Sequence, residues 1–279
     1  MKRHLAIAAP ACVAACLIAV SSSAYAQNRL ESDATWRRHD RDGGPGRAQL
    51  TTFTFEVRFG GYYPKVDEES ALGGKTPYFD YFGNGPQFYF GLELDWTPIR
   101  IPYLGKLGPA LGWGITTMNA KAKVVVSDGA SGSTSLNSDT GTSLTIHVMN
   151  VSAVLRIDEI SRRTVLPIVP YAKAGLGLGL WSAGTDTGTS KIGSDCTQKA
   201  PKDCKVGEGL SIGPHIALGG MLGLNWLDPR SGAMGRQSLG VTQAYLFGEW
   251  MLDHLSEAPG KQAMNVGTSS WVLGLALDL

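Results

Sequence analysis

Large apolar residues recur at every second position over much of this chain. Phe53, Phe55, Val57 and Phe59 interleave with Thr54, Glu56, Arg58 and Gly60. Phe88, Phe90, Leu92, Leu94 and Trp96 interleave with Tyr89, Gly91, Glu93 and Asp95, and Leu111, Trp113 and Ile115 with Gly112, Gly114 and Thr116. A period of two is the signature of a strand with two unlike faces. Segment 142–157 begins on one phase (Leu144, Ile146, Val148) and ends on the other (Val151, Ala153, Leu155, Ile157), which predicts a β-bulge near Met149-Asn150. Leu176, Leu178 and Leu180 alternate with glycines, and Ile212, Ile216, Leu218 and Leu222 alternate with Gly213, His215, Gly219 and Gly223. Ala244, Leu246, Trp250 and Leu252 follow the same rule, although Phe247 falls on the polar phase. The last segment, Trp271, Leu273, Leu275, Leu277 and Leu279, carries its apolar face to the final residue. Eight strands are therefore expected and no substantial helix.

The connections fall into two classes. Those after strands two, four and six contain compact turns around 99–106, 158–164 and 228–231, whereas 64–86, 124–141 and 183–209 are long and polar and 256–263 is short. Short and long connections in alternation predict an all-β fold: an eight-stranded antiparallel up-and-down transmembrane β-barrel over 51–279, with one elaborated rim.

Composition adds the compartment. Lys2 and Arg3 precede an apolar run from Leu5 to Val20, and Ala24-Tyr-Ala26 closes it, so 1–26 reads as a cleaved signal peptide. Residues 27–50 read as a disordered periplasmic lead-in, with a binding arm as the alternative. Net charge is +1, which excludes a nucleic-acid surface as the expected partner. Cleavage leaves two cysteines, Cys196 and Cys204, in one polar stretch; in an exported chain they read as a disulfide, with a metal pair as the alternative.

Alternation alone does not separate a soluble barrel from a membrane barrel. The lean face does, because it is mostly Gly, Ala and Ser with a few charges, as a narrow lumen requires. The other face carries Phe, Trp and Leu in rows, and Trp96, Trp113, Trp226 and Trp271 fall toward strand ends as an interfacial aromatic girdle.

The signal peptide, the eight alternating strands and the apolar terminal strand resemble small bacterial outer-membrane barrels of the OmpA, OmpX and OmpW sort. The stretches "GGKTPYFDYFGN", "RIPYLGKLGP", "PYAKAGLG" and "SSWVLGLALDL" resemble more closely a family of uncharacterised outer-membrane barrels from myxobacteria and their relatives. The chain departs from the pattern at Leu279, where a Phe usually ends the insertion signal. The resemblance implies a monomer in the outer membrane of a Gram-negative bacterium, both termini periplasmic, with lipid and the barrel-insertion machinery as partners and no assigned activity or cofactor.

The candidate chemistry lies on the lean face. Glu56, Arg58, Glu93, Asp95, Lys121, Arg156, Lys173, His215, Glu249 and Asp253 are expected to form an internal ion-pair network, since a lone charge in a narrow lumen is costly. Such a network is either a structural plug or the gate of a narrow solute pore. The glycine row Gly175, Gly177, Gly179 has a spacing of two and makes room for bulky neighbours; it lacks the strand-turn-helix context of a nucleotide loop. His254-Leu-Ser256 resembles the His-x-Ser of outer-membrane lipid A deacylases, but the acid that orients the His there is missing, the closest being Glu257. Tyr78, Phe79, Tyr81 and Phe82 predict that loop 64–86 is either a folded cap on the barrel mouth or a site for a surface ligand.

Overall fold

A computed structural model describes residues 53–128, 132–164, 166–185, 188–192, 205–224, 240–257 and 264–279. Eight antiparallel strands make the barrel: β1 (Phe53–Tyr62), β2 (Gln87–Trp96), β3 (Gly105–Asp128), β4 (Gly132–Arg156), β5 (Ile168–Thr185), β6 (Glu208–Gly223), β7 (Gln243–Asp253) and β8 (Thr268–Asp278). Each pairs with the next, and β8 pairs with β1, so the ring closes. Closure leaves no unsatisfied sheet edge along the wall. The seam runs from Thr54 opposite Asp278 to Gly60 opposite Val272, and the Leu279 N–H donates to the Phe53 carbonyl at 2.9 Å. The greasy end of the chain is thus a wall strand.

Outside the wall, two single turns of 3-10 helix (Val66–Glu68, Ser70–Leu72) and a short helix α1 (Pro77–Phe82) shape the first long connection, and a second short helix α2 (Glu159–Arg163) sits in the turn after β4. The expected connection 124–141 is not a loop. β3 and β4 run on as a two-stranded ribbon to Asp128 opposite Gly132, with a register shift between Lys121 and Lys123. Beyond Thr116 β3 has β4 on one side but no longer β2 on the other. Helix α1 packs against β3, which shelters part of that edge.

No bulge interrupts β4 at Met149-Asn150. Gly112 faces Asn150 and Trp113 faces Met149 in unbroken register, and the even-numbered residues from Leu144 to Arg156 point inward throughout. What changes is the lumen. Its upper part, toward the long connections, is apolar, so Leu144, Ile146 and Val148 belong inside; at its middle the inward positions of β4 are the polar Asn150 and Ser152, and there the apolar Val151 turns outward.

The upper cluster comprises Tyr62, Tyr89, Met118, Ile146, Met251 and Val272 among others, with Tyr62 and Tyr89 stacked at 5.8 Å between ring centroids. Small inward residues make room for these rings: a Cβ on Gly114 would lie 2.3 Å from the Tyr89 hydroxyl. A second apolar cluster, including Val169, Tyr171, Met221, Tyr245 and Phe247, lies toward the short-turn end on the β5–β8 side. Phe247 is thereby explained, since it is buried in the lumen against Tyr171. Outside, Phe53, Phe88, Leu111, Val151, Leu176, Leu218, Trp271 and Leu273 form an exposed apolar wall.

Candidate functional site

Between the two apolar clusters the inward positions carry charge. Alternation fixes this: Glu56 and Arg58 on β1, Glu93 and Asp95 on β2, Arg156 on β4, Lys173 on β5 and Glu249 on β7 all occupy the inward phase and are buried. Arg58 donates to Glu56 and Glu93 at 2.8 Å each, and its Nη1 stands 3.0 Å from Glu249. Lys173 contacts Glu56 at 2.9 Å and makes a second, shorter contact with Glu93. Arg156 reaches Asp95 at 2.6 Å and Glu56 at 3.2 Å.

Asp278, Thr54 and Tyr171, which the alternating charges alone do not pick out, join the network. Asp278 accepts from Arg156 at 3.2 Å and from the Thr54 hydroxyl at 2.5 Å, while the Tyr171 hydroxyl donates to Glu249 at 2.9 Å. Asp278 alternates with leucines at the end of β8, and its inward phase was the available signal. His215 and Asp253 stand apart from the main network. They face each other across β6 and β7 with Nδ1 and Oδ1 2.6 Å apart. Lys121 belongs to neither group; it lies on the outward phase of β3 and is exposed, so its placement on the lumen face is corrected.

Glu56, Glu93 and Asp95 bring oxygens close enough to chelate an ion. Lys173 and the two arginines already hold those carboxylates, so ammonium and guanidinium groups fill the role that a metal would have. Each partner is fully desolvated, and removing one side of such a pair strands the other.

At the opposite end the first long connection is a folded cap. Pro77 opens α1, and the free N–H groups of Tyr78 and Phe79 donate to the two carboxylate oxygens of Asp67 at 2.8 Å each. Tyr78 packs on Tyr63 and Phe82 with centroids 5.9 and 5.3 Å away, and the Lys65 N–H donates to the Gly267 carbonyl at 2.9 Å. Burial first, then the neighbouring Tyr63 and Asp67, push the Tyr78 hydroxyl up to about 12, so it stays a neutral donor. The cap leaves a recess of about 470 Å³ at the barrel mouth, walled by Leu72, Tyr78, Tyr81, Phe82, Leu144 and Trp181.

His254 is exposed just past β7, and among the described residues no hydrogen bond joins it to Ser256 or Glu257. Glu257 instead pairs its backbone with Ile212. The arrangement offers no relay from acid to imidazole to hydroxyl. Of the four tryptophans expected in the girdle, Trp96 ends β2 and stacks on Phe53 at 6.3 Å, and Trp271 lies near the start of β8. Trp113 is well inside β3, which is longer than its apolar pattern, so it does not mark a strand end; its ring stacks on His147. Trp226, Cys196, Cys204 and the segments 1–26 and 27–50 lie outside the described residues.

No known protein-family model matches the chain, and no curated protein matches it. Among solved structures it is similar to Ail, the attachment invasion locus protein of Yersinia pestis, solved in complex with the heparin analogue sucrose octasulfate. That match has 9% identity and a TM-score of 0.39, and covers 81% of this chain and 95% of that one. Neisserial surface protein A gives 12% identity and a TM-score of 0.37 over 82% and 97% of the two chains. The outer membrane protein OprG from Pseudomonas aeruginosa gives 12% and 0.38 over 81% and 94%. None of these matches points to myxobacteria. The closed ring of strands rests on its own register.

Proposed function

We propose that this protein is a small outer-membrane β-barrel with a closed lumen, whose working part is the capped rim formed by its long connections. The observation that carries the reading is the 2.9 Å contact between Lys173 and Glu56. β1 and β5 are four places apart in a ring of eight, so this pair spans the full diameter. A second contact does the same between Arg156 on β4 and Asp278 on β8. Side chains that touch across the lumen leave no path for a hydrated solute at that level.

The exposed apolar wall supports a membrane location, because a continuous patch of this kind does not face water. The apparent secretory segment supports the outer membrane of a Gram-negative cell, where closed barrels span. The short turns and Leu279 then lie on the periplasmic side, the cap faces outward, and the insertion machinery and lipid are the partners this placement requires. The ring is complete within one chain, which favours a monomer.

Planar-bilayer recording of the purified protein tests the closed lumen. Flat current traces at voltages that open general porins are expected. Reproducible unitary steps would overturn the reading in favour of a gated pore.

A further inference from the structure

The recess under the cap is more specific than a gap. Aromatic rings reach it from two directions: Tyr78, Tyr81 and Phe82 from α1, and Trp181 from the end of β5. Leu144 and Leu72 make up apolar wall between them. Its volume of about 470 Å³ falls within the about 300–1,000 Å³ typical of small-molecule sites. Among the described residues that line it, Glu69 alone is charged. Glu69 has no salt-bridge partner among the described residues; the ion pair next to it runs from Lys65 to Glu68 instead. The Tyr78 side chain is buried, with the Gln87 side chain beside its hydroxyl.

We propose that this recess binds a small organic ammonium ion that carries an apolar body. Ring faces present negative potential and attract a cation, most strongly where water is excluded. A free carboxylate on the same wall adds the complementary charge and disfavours anions. An inorganic cation or a bare lysine-type ammonium is too strongly hydrated to prefer an apolar wall, whereas a substituted ammonium carries little hydration and fills the volume with carbon.

The inference rests on the capped rim being the working end of the barrel, and it is independent of whether the lumen conducts. The test uses the full-length protein folded in maltoside micelles, which contain no amine or choline head group. Benzyltrimethylammonium and neutral benzyl alcohol are titrated calorimetrically into wild type, Glu69→Gln and Tyr81→Leu, each first shown to keep its folded gel mobility. Saturable binding of the cation is expected, with benzyl alcohol about tenfold weaker or worse. Each variant should lose about tenfold for the cation while its binding of benzyl alcohol changes little. Equal affinity for cation and alcohol, unchanged affinity in Glu69→Gln, or no saturable binding would each overturn the proposal. None of these results touches the conductance test, so the two readings fail separately.

Discussion

Lys173 Nζ lies 2.9 Å from Glu56 Oε2, although the two residues stand on diametrically opposed strands. The barrel is therefore tied through its middle as well as around its wall. Glu56 also meets Arg58 and Arg156, so one carboxyl group gathers three cations from three strands. Around these cations stand five carboxylates, those of Glu56, Glu93, Asp95, Glu249 and Asp278.

Replacing Arg58 by Ala leaves Glu249 without its cation and weakens the hold on Glu56 and Glu93. The loss expected is about 3–5 kcal/mol, read as a lower midpoint in urea unfolding from lipid vesicles. A midpoint equal to wild type would show that the charges are solvated and the network is not what holds the lumen.

Lys173 and Glu93 should be coupled. Lys173→Met strands a carboxylate in a dry interior, while adding Glu93→Gln removes the stranded charge. The double variant should recover part of the loss, with a coupling energy of about 1–3 kcal/mol. Additive losses from the two changes would place the residues in separate environments.

The end of the chain is both wall and network. Deleting Leu277 to Leu279 removes the pairs with Thr54 and Phe55 and takes Asp278 from Arg156. The truncated chain should be exported but should lose the difference in gel migration between boiled and unboiled samples. Asp278→Asn isolates the charge: it should keep the gel shift and lose about 1–3 kcal/mol. Retained gel shift in the truncation would mean that closure does not need these residues.

Glycines on the two faces of the wall, Gly114 inward and Gly220 outward, provide an internal contrast. Gly114→Ala puts a methyl 2.3 Å from the Tyr89 hydroxyl and should cost about 1–3 kcal/mol as the ring shifts off Tyr62. Gly220→Ala meets no atom within 4 Å and should stay within about 0.5 kcal/mol of wild type. Equal effects at the two sites would refute the packing role assigned to Gly114.

The wall was readable because its apolar outer face imposes a period of two on it. The pattern misleads where that face no longer sets the rule. On β4 the apolar residues change phase because the lumen turns greasy near its mouth, and a sequence shows the same slip for that as for a bulge. On β3 the ribbon beyond Thr116 has lost its β2 partner, so nothing forces alternation and Lys121 is exposed on the outward phase. The inward charges were legible individually. Their partners were not, because opposed strands bring together residues far apart in sequence, as Glu56 and Lys173 show. Nor does any pattern reveal the recess, which arises from α1 meeting the middle of β4 and the end of β5.

The diametral contacts also bear on time. Arg156 and Asp278 are 122 positions apart, and they meet only when the last strand has docked on the first. Contacts of this kind are late in assembly and contribute little to reaching the folding barrier. Once made, they must break before the seam can open, so they act on the unfolding rate. The charged belt thereby makes the finished barrel slow to release, and its endurance is set by how often that central knot loosens rather than by how quickly it was tied.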